Sequence, residues 1–161
     1  MTLPCSEAES KRVHLPTTKR ITPMSLQSQP TILYVDDDTD DCHILAESFA
    51  ETPNLPGLIC AGDGEAALGY LSSISGTALP SLIILDLNMP KLDGRQTLNH
   101  LKSDPHLADI PVVILSTSSN RTDREACVKL GAASYFEKPY HYAGYKEIVK
   151  RCLPLMKAAF E

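Results

Sequence analysis

The chain has 161 residues, of which 43% are hydrophobic and 22% charged, a balance expected of one globular domain with a sizeable core and no room for a second. Net charge is −5, and because residues 1–28 hold four basic and two acidic residues, the remainder carries −7. An acidic body argues against a phosphate-backbone footprint and excludes nucleic acid as an expected direct partner.

Residues 1–29 are rich in Ser, Thr, Pro and Gln and have no apolar period, so they are expected to be a disordered extension. Met24 offers an alternative translation start, which would leave residues 1–23 without function. A single domain is expected over 30–155, with 156–161 as a tail. Strand and helix signals alternate from Thr31 onward. Thr31–Val35 is a β-rich run that meets Asp36, Asp37 and Asp38 at once, and a first helix carries Ile44, Leu45, Ser48 and Phe49 until Pro53 and Pro56 break it. Leu58–Ala61 is a short second strand, and Asp63 is placed to cap a helix through Leu71.

The run from Ser81 to Leu85 is aliphatic and ends in Asp86, the pattern of a central strand buried on both faces. Gly94 leads a third helix that ends near Asp104-Pro105. Pro111–Ser116 is a second fully buried strand, and Arg121–Leu130 is an amphipathic helix with Gly131 as its C-terminal stop. Ser134–Glu137 is the fifth strand, Lys138-Pro139 follows it, and His141 to Leu153 is the last helix, which Pro154 should end or kink. Five strands alternating with five helices predict a doubly wound α/β domain around a parallel sheet.

Cys5, Cys42, Cys60, Cys127 and Cys152 stand singly without a C-x-x-C pair. They are expected to be structural or incidental, and their odd number suits a reducing cytoplasmic compartment. No stretch approaches the ~18 apolar residues of a membrane span, and the amino end lacks a signal peptide's apolar core, so no membrane association is expected.

Ligands of open α/β sheets bind outside the carboxyl ends of the strands. Strands one, three, four and five deliver Asp36/Asp37, Asp86, Ser116/Thr117 and Lys138 to that edge. Clustered carboxylates repel unless a cation sits among them, and an oxygen set without His or Cys favours Mg²⁺ over zinc. A lysine and a hydroxyl beside such an ion suit a phosphoryl group.

Val35-Asp36-Asp37, Asp63-Gly64-Glu65-Ala66-Ala67-Leu68, Leu85-Asp86-Leu87-Asn88-Met89-Pro90 with Asp93-Gly94, Leu115-Ser116-Thr117, and Gly131-Ala132 through Lys138-Pro139 occur in one order over residues 30–153. In that conjunction the chain resembles the receiver domain of two-component response regulators, and Asp86 to Ser116 resembles the stand-alone receivers paired with phytochrome-type histidine kinases. The resemblance implies a flavodoxin-like sheet of order 2-1-3-4-5 and a single-domain response regulator, not an enzyme in its own right. Asp86 would accept a phosphoryl group from a sensor histidine kinase. Asp37, Asp86 and the Asn88 backbone carbonyl would bind Mg²⁺, with Asp36 acting largely through water. Lys138 would pair with the phosphoryl oxygens, and the Lys138–Pro139 peptide would be cis. Ser116 would swing toward the phosphoryl group and make room for Tyr135 to turn inward, while Asn88 and Ser118 would tune the phosphate's lifetime.

Several residues carry a second reading. Asp38, Asp40 and Asp41 are expected to interact only with the first helix's dipole. Asp36, Asp38, Asp40 and Glu47 match positions of a calcium loop, but Asp41 stands where that loop needs glycine. An aspartyl-nucleophile phosphatase using Asp36 and Asp38 is the rival function, and a degenerate receiver that binds partners without phosphorylation is a third. Tyr135, Tyr140, Tyr142 and Tyr145 either pack the last helix or form a signalling or homodimer face for a downstream protein target.

Overall fold

The computed structural model describes residues 30–52 and 57–156. The expected disordered extension, the alternative start at Met24, the helix-breaking Pro53 and Pro56, and residues 157–161 of the tail lie outside the described residues.

The elements are β1 (Thr31–Val35), α1 (Thr39–Ala50), β2 (Gly57–Ala61), α2 (Gly64–Ser72), β3 (Leu82–Leu85), α3 (Gly94–Ser103), β4 (Val112–Ser116), α4 (Arg121–Lys129), β5 (Ser134–Glu137) and α5 (Tyr142–Cys152). Short 3-10 turns follow α2 (Gly76–Ala78) and α5 (Leu153–Leu155). The five strands form one parallel sheet in the order β2-β1-β3-β4-β5, as the resemblance implies.

The sheet interior is apolar on both faces because β1, β3 and β4 contain almost no polar residue. Leu33, Val35, Ile83, Leu85, Val112 and Ile114 face α2, α3 and α4, where Leu71, Leu98 and Leu101 close over them. Ile32, Tyr34, Leu82, Ile84, Val113 and Leu115 face α1 and α5, against Leu45, Phe49, Ile148 and Val149. Each fully buried aliphatic side chain stabilises the fold by about 1.5–3 kcal/mol. This bilateral packing fixes the strands and therefore the loops at their carboxyl ends.

The helix termini follow their capping residues. Asp63 accepts from Ala66 N–H at 2.7 Å. Asp93 accepts from Gln96 N–H at 2.8 Å while Gln96 reaches back to Asp93 N–H at 3.0 Å, a reciprocal capping box. Gly131 adopts φ +101° after α4, and the next amide, Ala132 N–H, closes on the Cys127 carbonyl at 3.0 Å. Pro154 ends α5 by turning it into the 3-10 segment.

Two expectations about this scaffold are corrected. Cys42 on α1 and Cys60 on β2 do not stand singly: they form a disulfide, with Cα atoms 6.5 Å apart. That separation is within the ~4.4–6.8 Å a bridge tolerates. It arises because α1 packs back against β2, a contact that no spacing along the chain announces. The Lys138–Pro139 peptide is trans, since the described residues contain no cis bond. Trans is favoured by about 0.5–1 kcal/mol even before proline, and from it the lysine's flexible stem already reaches the acids described below.

Candidate functional site

Strand register brings the site together. Val35 lies opposite Leu85 in the β1–β3 pair, so the next residue of each strand, Asp36 and Asp86, leaves the sheet side by side. The ladder continues one step: Asp86 N–H donates to the Val35 carbonyl at 2.9 Å, and Asp36 N–H to the Ala61 carbonyl at 3.0 Å. Across the sheet Ser116 pairs with Glu137, and Lys138 N–H donates to the Ser116 carbonyl at 2.8 Å. Backbone bonds thus hold the first residue past β1, β3 and β5 at one edge.

The Lys138 ammonium closes the cluster. Its Nζ donates to Asp36 Oδ2 at 2.6 Å and Asp41 Oδ2 at 2.7 Å, and lies 3.5 Å from Asp86 Oδ2. Burial alone would push this amine down, but the hydrogen bonds to Asp36 and Asp41 and the charges of Asp36 and Asp86 outweigh it and hold the amine above the ordinary lysine range. Asp36 also accepts from Asp38 N–H at 2.9 Å and from the hydroxyl of buried Tyr34.

Of the two buried acids, Asp36 and Asp86, Asp86 is the less well satisfied. It is 4% exposed, and its contacts with Lys138 Nζ and Asn88 N–H are both long, at 3.5 Å. Burial pushes its pKa up to about 6; the Lys138 charge works against the rise and the Asp36 charge adds to it. A buried carboxylate short of counter-charge suits a divalent cation. Asp36, Asp37 and Asp86 each offer an oxygen, and these atoms lie within 4.8 Å of one another. A hard ion with ~2.1 Å bonds spans such a set after small rotations, which the exposed Asp37 side chain permits.

Ser116 is fully buried, and its Oγ accepts from Ser118 N–H at 3.3 Å. Tyr135 is already inside: it is 4% exposed and donates its hydroxyl to the Ser118 carbonyl at 2.7 Å. The Arg124 guanidinium lies over the Tyr135 ring at 4.8 Å and donates to its carbonyl at 3.1 Å. Ser118 Oγ is engaged with Asp123 at 2.6 Å, and Asn88 is exposed.

The structure redraws the other acids. Asp38 caps α1, accepting from Asp40 N–H at 2.9 Å, and Asp40 is exposed. Asp41 departs from expectation, because besides Lys138 it binds the Tyr145 hydroxyl at 2.8 Å. It was legible as an inward residue, since it precedes Leu45 by four positions and Ser48 and Phe49 by seven and eight, the buried stripe of α1. Tyr34, between Leu33 and Val35, reads only as core. The tyrosines do not form one face: Tyr135 and Tyr145 are buried, while Tyr140 is 91% and Tyr142 37% exposed.

The model of the response regulator receiver domain matches residues 32–150. Response regulator Rcp1 of Synechocystis sp. is 38% identical over 120 residues, spanning 71% of this chain and 82% of that protein. The phosphorylated cyanobacterial phytochrome response regulator RcpA superposes with a TM-score of 0.73 at 33% identity, covering 83% of this chain and 98% of RcpA. The Mn²⁺-bound form of Rcp1 gives a TM-score of 0.69 at 34% identity, covering 78% and 94% of the two chains.

Proposed function

The chain belongs to the response regulator receiver family, and from that membership we propose that Asp86 accepts a phosphoryl group from the phosphohistidine of a sensor histidine kinase. The carrying observation is the convergence of Asp36 and Asp86, from the ends of β1 and β3, on the ammonium of Lys138 from the end of β5. An Asp86 oxygen attacks phosphorus, the P–N bond breaks with its electron pair left on the imidazole, and an acyl phosphate forms. Lys138 offers its ammonium to the phosphoryl oxygens. Mg²⁺ is the proposed ion, held by Asp37, Asp86 and the Asn88 carbonyl, with Asp36 acting through water. When bound, it supplies the positive charge that crowded carboxylates and an incoming phosphoryl group lack.

The resemblance to RcpA and Rcp1 supports a phytochrome-type kinase as the donor. Signalling then runs through Ser116 and Tyr135 to a downstream protein, Tyr135 acting through its hydrogen bond to the Ser118 carbonyl and not by turning inward, since it is already buried, with residues 30–155 as the receiver unit, 1–29 as an extension and 156–161 as a tail. No described helix is long and apolar enough to cross a membrane. Self-association on the tyrosine-rich segment would rest on Tyr140 and Tyr142, the two that are exposed. The rival phosphatase is disfavoured because Asp38, its required second acid, is occupied as the cap of α1.

Incubation with acetyl phosphate and Mg²⁺ tests the reading. The expected product is a base-labile phosphoprotein that Asp86→Asn does not form. Labelling that survives Asp86→Asn, or steady phosphomonoester turnover dependent on Asp36, would overturn it.

A further inference from the structure

Asp41 is a carboxylate in the phosphorylation site that comes from a helix. It uses its two oxygens for two elements: Oδ2 accepts from Lys138 Nζ at 2.7 Å and Oδ1 from the Tyr145 hydroxyl of α5 at 2.8 Å. The α1–α5 seam continues one helix length away, where Glu51 accepts from the Tyr142 hydroxyl at 2.9 Å and pairs with Lys146. Lys138 is therefore held by Asp36 and Asp41 at a distance from Asp86 that is 0.8–0.9 Å longer than its two short bonds. Two of the ammonium's three N–H donors are thus taken by Asp36 and Asp41, so phosphoryl oxygens on Asp86 compete with Asp41 for it.

We propose that Asp41 is a positioning residue that parks Lys138 away from Asp86 before phosphorylation and, through Tyr145, ties release of that lysine to the α1–α5 contact. Two consequences share one sign. Removing the Asp41 charge frees Lys138 to approach Asp86, and it removes one negative charge from the surroundings of an incoming dianion. Both favour the phosphorylated state. Tyr145 acts behind Asp41: without its hydroxyl the carboxylate is less fixed and holds Lys138 less well. The inference rests on Asp86 being the phosphoacceptor.

The test uses beryllofluoride, a phosphoryl mimic, titrated with Mg²⁺ into wild type, Asp41→Asn, Asp41→Glu, Tyr145→Phe and, as a charge control, Asp40→Asn, whose side chain is exposed. Asp41→Asn should tighten beryllofluoride binding roughly three- to tenfold, the scale of one weakened charge-assisted hydrogen bond. Tyr145→Phe should tighten it less, Asp41→Glu should return toward wild type, and Asp40→Asn should stay within about twofold. Asp41→Asn combined with Tyr145→Phe should be no tighter than Asp41→Asn alone. A folded Asp41→Asn that binds no more tightly than wild type or the Asp40→Asn control overturns the proposal, and so does equal binding by Tyr145→Phe if Asp41→Asn fails to fold. Wild type that binds no beryllofluoride, or binds it equally as Asp86→Asn, instead overturns the phosphoacceptor reading beneath it.

Discussion

Lys138 Nζ lies 2.6 Å from Asp36 Oδ2 and 3.5 Å from Asp86 Oδ2, so the ammonium binds most closely an acid other than the proposed nucleophile. A divalent ion drawn to the same carboxylates must contend with that ammonium. Lys138→Met should therefore tighten Mg²⁺ binding several-fold, read by titration calorimetry at pH 8. The same change strands Asp36, Asp41 and Asp86 together and should lower metal-free stability by about 3 kcal/mol. The loss should shrink near pH 5 as Asp86, whose pKa burial raises to about 6, takes up a proton. An unchanged Mg²⁺ affinity would show that lysine and metal do not compete.

Asp86 predicts a pH dependence of opposite sense to the usual carboxylate. Its pKa is raised from 3.8 to about 6 by burial, so the folded protein prefers the protonated form more than the unfolded chain does. The ionised form therefore costs stability, with the cost absent below about pH 4, growing between pH 4 and 6 and complete above 6. At ~1.4 kcal/mol per pH unit the cost at pH 7.5 is on the order of 2–3 kcal/mol. Asp86→Asn should be more stable than wild type by about that amount in EDTA at pH 7.5, and the gap should close as the pH falls to 4. Denaturant titrations at the two pH values decide it; a gap independent of pH would place its origin elsewhere.

The scaffold was legible because β1, β3 and β4 are apolar runs that each stop at a polar residue, and β5 matches its expected span of Ser134–Glu137. The same stops revealed Asp36, Asp86, Ser116 and Lys138, since a strand end in a parallel sheet is also an address. Asp41 was misjudged for a physical reason: acids in a first helical turn have a generic role with the dipole, and only the inward stripe of α1 distinguishes Asp41 from Asp40. The Cys42–Cys60 contact depends on how a helix packs on an edge strand, which sequence spacing does not encode.

That disulfide closes a loop with a sequence separation of 18, and limiting the unfolded chain in this way is worth about 3 kcal/mol. Cys42→Ser and wild type treated with dithiothreitol should both lose stability of that order in guanidinium titrations, and dithiothreitol should add nothing to Cys42→Ser. Cys127 and Cys152 are buried, and burial raises both thiol pKa values, that of Cys152 to about 12, so neither should react with iodoacetamide in the folded state. Equal stability of oxidised and reduced wild type would argue that the bridge constrains nothing.

Two glycines in helices separate a required close approach from mere tolerance. A Cβ on Gly94 would lie 2.1 Å from the Asp86 carbonyl oxygen and 2.6 Å from Leu87 Cα, both backbone atoms that no side-chain rotation can clear. Gly94 N–H also donates to the Leu87 carbonyl at 3.0 Å, so the start of α3 is pressed against the segment that presents Asp86, the proposed phosphoacceptor. Gly94→Ala should therefore cost about 2–4 kcal/mol and slow acetyl-phosphate labelling by displacing Asp86. Gly69 lies within α2, is exposed, and a Cβ there would meet nothing within 4 Å. Gly69→Ala should raise stability by about 0.5–1 kcal/mol through helix propensity alone and leave labelling unchanged. Equal behaviour of the two variants would mean that α3 does not bear on the backbone of Asp86.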